Sequence, residues 1–177
     1  MKYATLVLVA LLAGCMNPLP PAAEDGSAAP VVQPKPAVYV AQQAANWCWL
    51  AVAEMIGQAV TGLDVPQCEM AGDSCCNSNA SQCDHEGEVW NALAQNYGLK
   101  TSVMPYDATT LRAELAAGRP VGIDYFSATK GHSVLLAAYE PVRGYQVMDP
   151  LNSVYWVADP STSSWYGSAA RMITVQP

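Results

Sequence analysis

Basic residues are missing from a long central stretch of this sequence. Lysine and arginine together number 8 among 177 residues, and none of them lies within residues 37–99. Acidic residues occupy that stretch instead: Glu54, Asp64, Glu69, Asp73, Asp84, Glu86 and Glu88. Because proteins hold nucleic-acid phosphates with lysine and arginine, this distribution argues against a nucleic-acid partner. Such acids by default keep a surface soluble, but acids that line a cleft would attract basic peptides.

Histidine is also scarce, which narrows the search for a catalytic base. The two histidines are His85 and His132. His85 lies between Asp84 and Glu86, next to clustered cysteines, and this context predicts a solvated surface loop. His132 heads an apolar run, residues 133–139. It is therefore the better candidate for a group that exchanges a proton near neutral pH.

The apolar run near the N-terminus is too short to span a bilayer comfortably. Lys2 precedes this run, residues 3–13, and the sequence Leu-Ala-Gly-Cys ends at Cys15, so residues 1–15 are predicted to be an export signal. That ending resembles the bacterial lipobox, which implies that Cys15 is lipidated and anchors the chain to a membrane. Met16 stands where inner-membrane lipoproteins tend to have aspartate, which implies an outer-membrane lipoprotein that faces the periplasm. The alternative is an ordinary secretory signal with a chance cysteine.

A proline-rich segment follows the predicted signal. Residues 16–36 contain six prolines among alanine, serine and acidic residues. This composition cannot bury a core and predicts a semi-extended linker. Residues 37–177 are long enough for one domain with a genuine core, and they contain no internal repeat.

Helical patterns precede strand patterns in this domain. Residues 48–60 are apolar nearly all round apart from Glu54 and Gln58, which predicts a central, buried helix. Further helices are predicted over residues 86–97 and from an Asp107 cap through residue 117. The predicted strands are residues 121–126, 133–139, 145–148, 154–157 and 171–175. Helices followed by strands indicate an α+β domain with a mostly antiparallel sheet.

The cysteines of the domain predict two disulfide bonds and one free thiol. Cys68, Cys75, Cys76 and Cys83 cluster within 16 residues, which leaves Cys48 unpaired. An exported domain favours disulfides, and a bond between the adjacent cysteines would be strained, so the pairing is either 68–75 with 76–83 or 68–76 with 75–83. A structural zinc site is the competing interpretation, but the usual CxxC pairs are missing. We therefore expect no metal and no other cofactor.

Cys48 stands at the predicted start of the buried helix, where a nucleophile would be expected. Unpaired N–H groups and the positive end of the helix dipole favour thiolate over thiol there. Gln42, six residues upstream, can supply a side-chain N–H to an oxyanion formed beside the sulfur. Gln43 is the alternative donor if the loop is one residue tighter.

A predicted hairpin brings a carboxylate to His132. The strand that follows His132 and the strand that ends at residue 148 are joined by a turn over residues 140–143. Folding the hairpin about this turn brings Asp149 back level with His132. Asp149 could therefore accept a hydrogen bond from the histidine ring and fix its tautomer.

Four short motifs in one order resemble a known family. Gln42, Cys48-Trp49, Gly131-His132 and Asp149-Pro150 are similar to the motifs of the papain-like cysteine peptidases. The closest branch is the bacterial one that includes double-glycine leader peptidases and secreted effector peptidases. The resemblance implies a papain-like fold, in which an N-terminal helical part with a central nucleophile helix packs on a mostly antiparallel sheet.

The resemblance also implies a mechanism. Cys48 would be the nucleophile, His132 the general acid and base, and Asp149 the residue that orients the histidine ring. Gln42 and the Cys48 backbone N–H would form the oxyanion hole. The implied activity is hydrolysis of a peptide or protein substrate through an acyl-enzyme. Two alternatives remain open: a transglutaminase-like acyltransferase, which uses the same Cys, His, Asp order, and an inactive papain-like module that binds peptides.

Overall fold

The computed structural model describes residues 35–76, 83–128, 130–164 and 166–176. The predicted export signal, Cys15 and most of the predicted linker lie outside these residues. The described helices are α1 (Cys48–Thr61), α2 (Gln67–Met70), α3 (Val89–Tyr97) and α4 (Ala108–Ala116), with a short 3-10 helix at Asp73–Cys76. The described strands are β1 (Thr101–Pro105), β2 (Val121–Phe126), β3 (Gly131–Glu140), β4 (Gly144–Asp149), β5 (Ser153–Val157), β6 (Thr162–Ser163) and β7 (Gly167–Val175).

These strands form one antiparallel sheet. Its order is β1-β7-β2-β3-β4-β5, and β6 pairs with β7 outside this sequence of neighbours. The strands from β2 to β5 are consecutive neighbours because short turns join them. The long strand β7 lies between β1 and β2 and so connects β1 to the rest of the sheet.

Successive side chains of the strands belong alternately to two apolar clusters on opposite faces of the sheet. Leu135 of β3 and Ile173 of β7 belong to the cluster that contains α1 and α3. Their neighbours Val134, Leu136 and Met172 belong to the cluster that contains α4. Because successive residues of a strand point to opposite faces, the sheet is covered on both sides. The α+β architecture predicted from the sequence is confirmed by these layers.

Helix α1 is the central helix that its composition predicts. Ten of its 14 residues are buried. Gly62 ends it in the left-handed conformation, with φ 76°. The ring of Tyr97 lies directly against Gly57, where an added Cβ would be only 2.3 Å from the ring. That glycine lets α3 approach α1 closely.

Other predicted elements differ from the structure in instructive ways. The helix predicted over residues 86–97 begins only at Val89, because Glu88 is still extended, with φ −121° and ψ 126°. The predicted cap Asp107 does accept a hydrogen bond from Thr110 N, at 2.7 Å. Strand β1, helix α2 and strand β6 were absent from the sequence-based prediction, since each is short and has no clear periodicity.

The clustered cysteines form two disulfide bonds. Cys68 is bonded to Cys76 and Cys75 to Cys83, which is the second of the two pairings that the sequence allowed. Cys48 is the free cysteine of the described residues. No group of histidine, cysteine or acidic side chains within the described ranges could hold a metal ion. Among the helices of those ranges, none has the length and apolar character needed to cross a membrane.

Candidate active site

Cys48 is the first residue of α1, and its side chain is partly exposed. Trp47 precedes the helix without a side-chain capping bond, and no acidic residue lies in the first helical turn. The loop before the helix is fixed to the disulfide region. The Trp47 indole donates to the Cys83 carbonyl at 2.8 Å, and Asn46 N donates to Asp84 Oδ1 at 2.7 Å. The sulfur is thus presented at the positive end of a rigidly held helix.

The structure brings Cys48, His132 and Asp149 together from three elements. His132 Nε2 lies 2.8 Å from Asp149 Oδ1, and the same ring hydrogen-bonds with the Cys48 side chain. Since Nε2 faces the aspartate, Nδ1 is the nitrogen left for the sulfur. His132 comes from the start of β3 and Asp149 from the end of β4.

The register of the hairpin differs from the predicted one by two residues. Leu135 pairs with Met148, so that Asp149 lies beside residue 134 rather than level with His132. The pairs nearer the turn, such as Ala138 with Gln146, would place Asp149 beside residue 135, and the bulge between Leu136 and Ala138 reduces the offset from three residues to two. Because residues two apart on a strand share a face, the offset still leaves His132 and Asp149 on the same side of the hairpin.

Burial opposes a charge on His132, but its partners outweigh that effect. The side chain is nearly buried, which by itself lowers the pKa of the imidazole. Hydrogen bonds with Asp149 and Cys48, together with their negative charge, raise the pKa of His132 to about 9. The ring is therefore protonated at neutral pH.

Asp149 is fully buried, yet its surroundings keep it ionised. Burial alone would raise the pKa of this carboxyl, but hydrogen bonds from His132, Asn152 and Leu151, together with the positive charge of His132, lower it to about 2. The hydrogen-bond donors are His132 Nε2 at 2.8 Å, Leu151 N at 3.0 Å, Asn152 Nδ2 at 3.1 Å, the Tyr166 hydroxyl at 3.1 Å and the Tyr155 hydroxyl at 3.5 Å. A buried anion with this many donors has a fixed orientation.

Tyr166 is part of this arrangement, although no sequence motif identified it. Its ring stacks on the His132 imidazole, with ring centroids 3.9 Å apart. Its hydroxyl also accepts a hydrogen bond from Asn152 Nδ2, at 2.6 Å. Tyr166 lies in an irregular segment between β6 and β7, the two strands that pair with each other.

Gln42 lies in the segment before Cys48, and the N–H groups of its side-chain amide already donate hydrogen bonds within that segment. Gln42 Nε2 donates to the carbonyls of Ala44 and Ala45, each at 2.8 Å. The backbone N–H of Gln42 donates to the Pro150 carbonyl at 3.0 Å, which ties this segment to the turn after Asp149. An oxyanion would therefore have to replace one of the two carbonyl partners of the amide.

The segment around Gln42 is held by a second glutamine that the sequence analysis did not single out. Gln67, in α2, is fully buried. Its Oε1 accepts from Gln43 N at 2.9 Å, and its Nε2 donates to the Ala41 carbonyl at 2.9 Å and to Glu54 Oε2 at 3.0 Å. Gln67 thus binds the backbone on both sides of Gln42. Gln43, the alternative oxyanion donor, uses its backbone N–H in this contact.

A cleft of about 320 Å³ opens beside the sulfur and the histidine. Its walls come from the segment before α1, the segment before α3, and the strands β2, β3 and β7. The lining residues include Cys48, Trp49, Glu86, Glu88, Asp124, Phe126, His132 and Arg171. His85 is exposed, as predicted, and accepts the Trp49 indole N–H on its carbonyl at 3.2 Å.

Comparison of sequences identifies one family. The sequence profile of the family described as papain-like cysteine protease AvrRpt2 matches residues 33–171, which is most of the chain. The match contains all four predicted motif positions, from Gln42 to Asp149. No curated protein matches the sequence significantly.

Solved structures share the fold of the domain. A double glycine motif protease from an AMS/PCAT transporter, solved with its leader peptide, is 20% identical, with a TM-score of 0.52 over 82% of this chain and 97% of that chain. The peptidase domain of Streptococcus ComA, a bifunctional ABC transporter, is 16% identical, with a TM-score of 0.54 over 78% and 97%. A C39-like peptidase from Bacillus anthracis is 13% identical, with a TM-score of 0.52 over 80% and 94%. The predicted papain-like fold is confirmed.

Proposed function

Because the chain belongs to the AvrRpt2 family of papain-like cysteine proteases, we propose that it hydrolyses peptide bonds with Cys48 as nucleophile, His132 as general acid and base, and Asp149 as the residue that orients His132. Membership of this family makes the chain a cysteine peptidase, as the sequence motifs predicted. The observation that carries the assignment of roles is the continuous contact from Cys48 through His132 to the buried Asp149.

The proposed reaction starts from a thiolate and an imidazolium. The Cys48 sulfur attacks the carbonyl carbon of the scissile peptide bond, and His132 gives its proton to the leaving amine as the C–N bond breaks. His132, now neutral, takes a proton from water, which attacks the thioester and releases Cys48 and the new carboxylate. Asp149 stabilises the charged ring in both steps.

The oxyanion of the tetrahedral intermediate needs donors beside the sulfur. We assign this role to the Cys48 backbone N–H at the start of α1 and to the Gln42 amide. The assignment of Gln42 requires its amide to exchange a carbonyl partner, Ala44 or Ala45, for the oxyanion. A variant Gln42→Ala should therefore lower the hydrolysis rate about a hundredfold without slowing alkylation of Cys48.

The test of the proposed roles is alkylation of Cys48 by iodoacetamide as a function of pH, without reductant, read out by peptide mass spectrometry. Fast labelling that persists well below pH 8, and that slows at least about tenfold in His132→Ala, is expected for a thiolate–imidazolium pair. A labelling rate that is the same in His132→Ala would contradict the proposal.

Hydrolysis of a proteome-derived peptide library should disappear in Cys48→Ala, and an added amine should not divert the product to an amide.

We also propose that the chain is a lipoprotein of the outer membrane, anchored through Cys15. The signal-like residues 1–15 support this proposal, and so do the two disulfide bonds, since disulfides persist in oxidising compartments. In a bacterial host, Cys15→Ser should move the protein from the detergent phase to the aqueous phase of a Triton X-114 extraction. Aqueous partitioning of the unmodified chain would contradict lipidation.

A further inference from the structure

One wall of the cleft beside Cys48 is unusually rich in charge. Glu86, Glu88, Asp124 and Arg171 all line it. If all four are ionised, three negative charges face one positive charge, a net charge of −2. The same cleft is bounded by the sulfur and the imidazole, so a side chain bound there would belong to a residue close to the scissile bond.

The positive charge of Arg171 is already balanced by two carboxylates of the same wall. Arg171 Nη2 lies 3.1 Å from Asp124 Oδ2 and 3.1 Å from Glu88 Oε2. Its guanidinium also lies over the rings of Trp90 and Phe126, 4.7 and 4.8 Å from their centroids. Arg171 is thus held in place and has little charge left to offer an acidic ligand.

Asp124 is the most buried acid of this wall. Its side chain is 4% exposed, and Oδ1 accepts a hydrogen bond from the Ser133 hydroxyl at 2.7 Å. Asp124 Oδ2 has Arg171 Nη2 as its ion-pair partner, whereas the buried Arg171 Nε has no hydrogen-bond partner among the described residues. Burial raises the pKa of Asp124 above its ordinary range, despite Ser133 and Arg171. A further positive charge nearby would offset the cost of burying this anion.

The backbone before α3 directs two more carboxylates to the cleft. An added Cβ on Gly87 would lie 2.5 Å from the Trp49 ring, so only glycine lets the chain lie flat on that indole. Glu88 is still extended, with φ −121° and ψ 126°. Glu86 and Glu88, on either side of this glycine, both line the cleft.

We propose that this wall, formed by Glu86, Glu88, Asp124 and Arg171, binds a lysine or arginine side chain of the peptide substrate next to the scissile bond. The inference rests on the proposed peptidase function and names the substrate class. The positive head of the side chain lies against the carboxylates of Glu86 and Glu88, and Glu88 shares its charge between this head and Arg171. The Phe126 ring, 45% exposed, covers the aliphatic stem.

The first test is the cleavage pattern of a proteome-derived peptide library. The unmodified protein, the double variant Glu86→Gln/Glu88→Gln and the control Glu69→Gln, an exposed acid outside the cleft, are compared with Cys48→Ala as blank. We expect lysine and arginine to be enriched about five- to tenfold at one position near the cleaved bond. The enrichment should vanish in the double variant, survive in the control and weaken with salt. Cleavage without such enrichment overturns the inference and leaves the peptidase function standing.

The second test does not depend on hydrolysis. Cys48 is labelled with a cationic and an anionic methanethiosulfonate, and the ratio of the two rates is followed by peptide mass spectrometry. The double variant should lower the cation-to-anion ratio about fivefold or more, while Glu69→Gln leaves it unchanged. If the library shows no cleavage that requires Cys48, the peptidase proposal fails. The ratio of the two labelling rates then tests by itself whether the wall attracts a cationic group. A ratio that is equal in all three proteins overturns the inference.

Discussion

At the scale of single residues, the site depends on Asp149. This carboxylate accepts hydrogen bonds from His132, Leu151, Asn152 and Tyr166 while being fully buried. A buried anion is stable only when its hydrogen bonds are made. The same donors that keep it charged also fix the direction in which it faces the imidazole.

The first prediction concerns the charge of that residue. Asp149→Asn removes the negative charge beside His132, so the pKa of the imidazole should fall from about 9 by at least about one unit. Two-dimensional NMR of the imidazole nitrogens across pH measures this directly, because the chain has two histidines. A His85→Gln variant assigns the signals. An unchanged His132 titration in Asp149→Asn would contradict the electrostatic role of the aspartate.

The second prediction separates the two contacts of Tyr166. Tyr166→Phe keeps the ring that stacks on His132 but loses the hydroxyl that donates to Asp149. Tyr166→Ala loses both. We expect peptide hydrolysis to fall about five- to tenfold in the first variant and about a hundredfold in the second. The pH profile of Cys48 labelling should shift in both variants, which a purely structural tyrosine would not cause.

At the scale of elements, the short helix α2 holds the loop that precedes the nucleophile. Gln67 contacts Ala41 and Gln43 through their backbones, and Glu54 of α1 through its side chain. Burial raises the pKa of Glu54, with the Gln67 hydrogen bond acting against it. The first disulfide bond lies next to Gln67 in the sequence, at Cys68. One buried amide therefore connects α1, α2 and the segment with Gln42.

The third prediction follows from this connection. Gln67→Leu leaves a backbone N–H, a carbonyl and the Glu54 side chain without their partner, and it should lower the free energy of unfolding by about 2–4 kcal/mol. Gln58→Leu is the matched control, because the buried Oε1 of Gln58 has no partner within the described residues. Its replacement should cost little or stabilise the protein. Urea unfolding without reductant measures both, and equal losses would contradict this account of Gln67.

At the scale of the whole molecule, the ion pair makes stability depend on pH in a defined window. The pKa of His132 rises from 6.5 to about 9 on folding, and that of Asp149 falls from 3.8 to about 2. The histidine contribution is complete below pH 6.5 and is lost as the pH rises through 9. The aspartate contribution is complete above pH 3.8 and is lost as the pH falls through 2. The pair therefore stabilises the fold most between about pH 4 and 6.5.

The fourth prediction compares the protein with His132→Gln across this range. The difference in the free energy of unfolding should be largest and nearly constant between pH 5 and 6 and decline by up to about 3 kcal/mol by pH 9. Urea titrations from pH 5 to pH 10 measure this difference. A difference that stays constant with pH would show that the imidazole is not held in its charged form.

Much of the fold followed from local patterns. The apolar composition of residues 48–60 predicted α1, and strand β2 was predicted with its bounds, residues 121–126. The helix before Gly98 was predicted too long, because Gly87 lies against the Trp49 ring and Glu88 is still extended. Local periodicity does not record that contact, since it joins residues far apart in the sequence.

The sequence by itself determined the family, the α+β class, the set of paired cysteines and the grouping of Cys48, His132 and Asp149. These features depend on residue types, their order and short-range patterns, all of which are visible in the amino-acid sequence. The tertiary structure alone decided which disulfide pairing forms, that the hairpin register is offset by two residues, and that Tyr166 and Gln67 complete the site. The tertiary structure also assembled the charged wall of the cleft from β2, β7 and the segment before α3. Contacts of this kind form only when distant segments pack, because their energies come from burial and not from neighbouring residues.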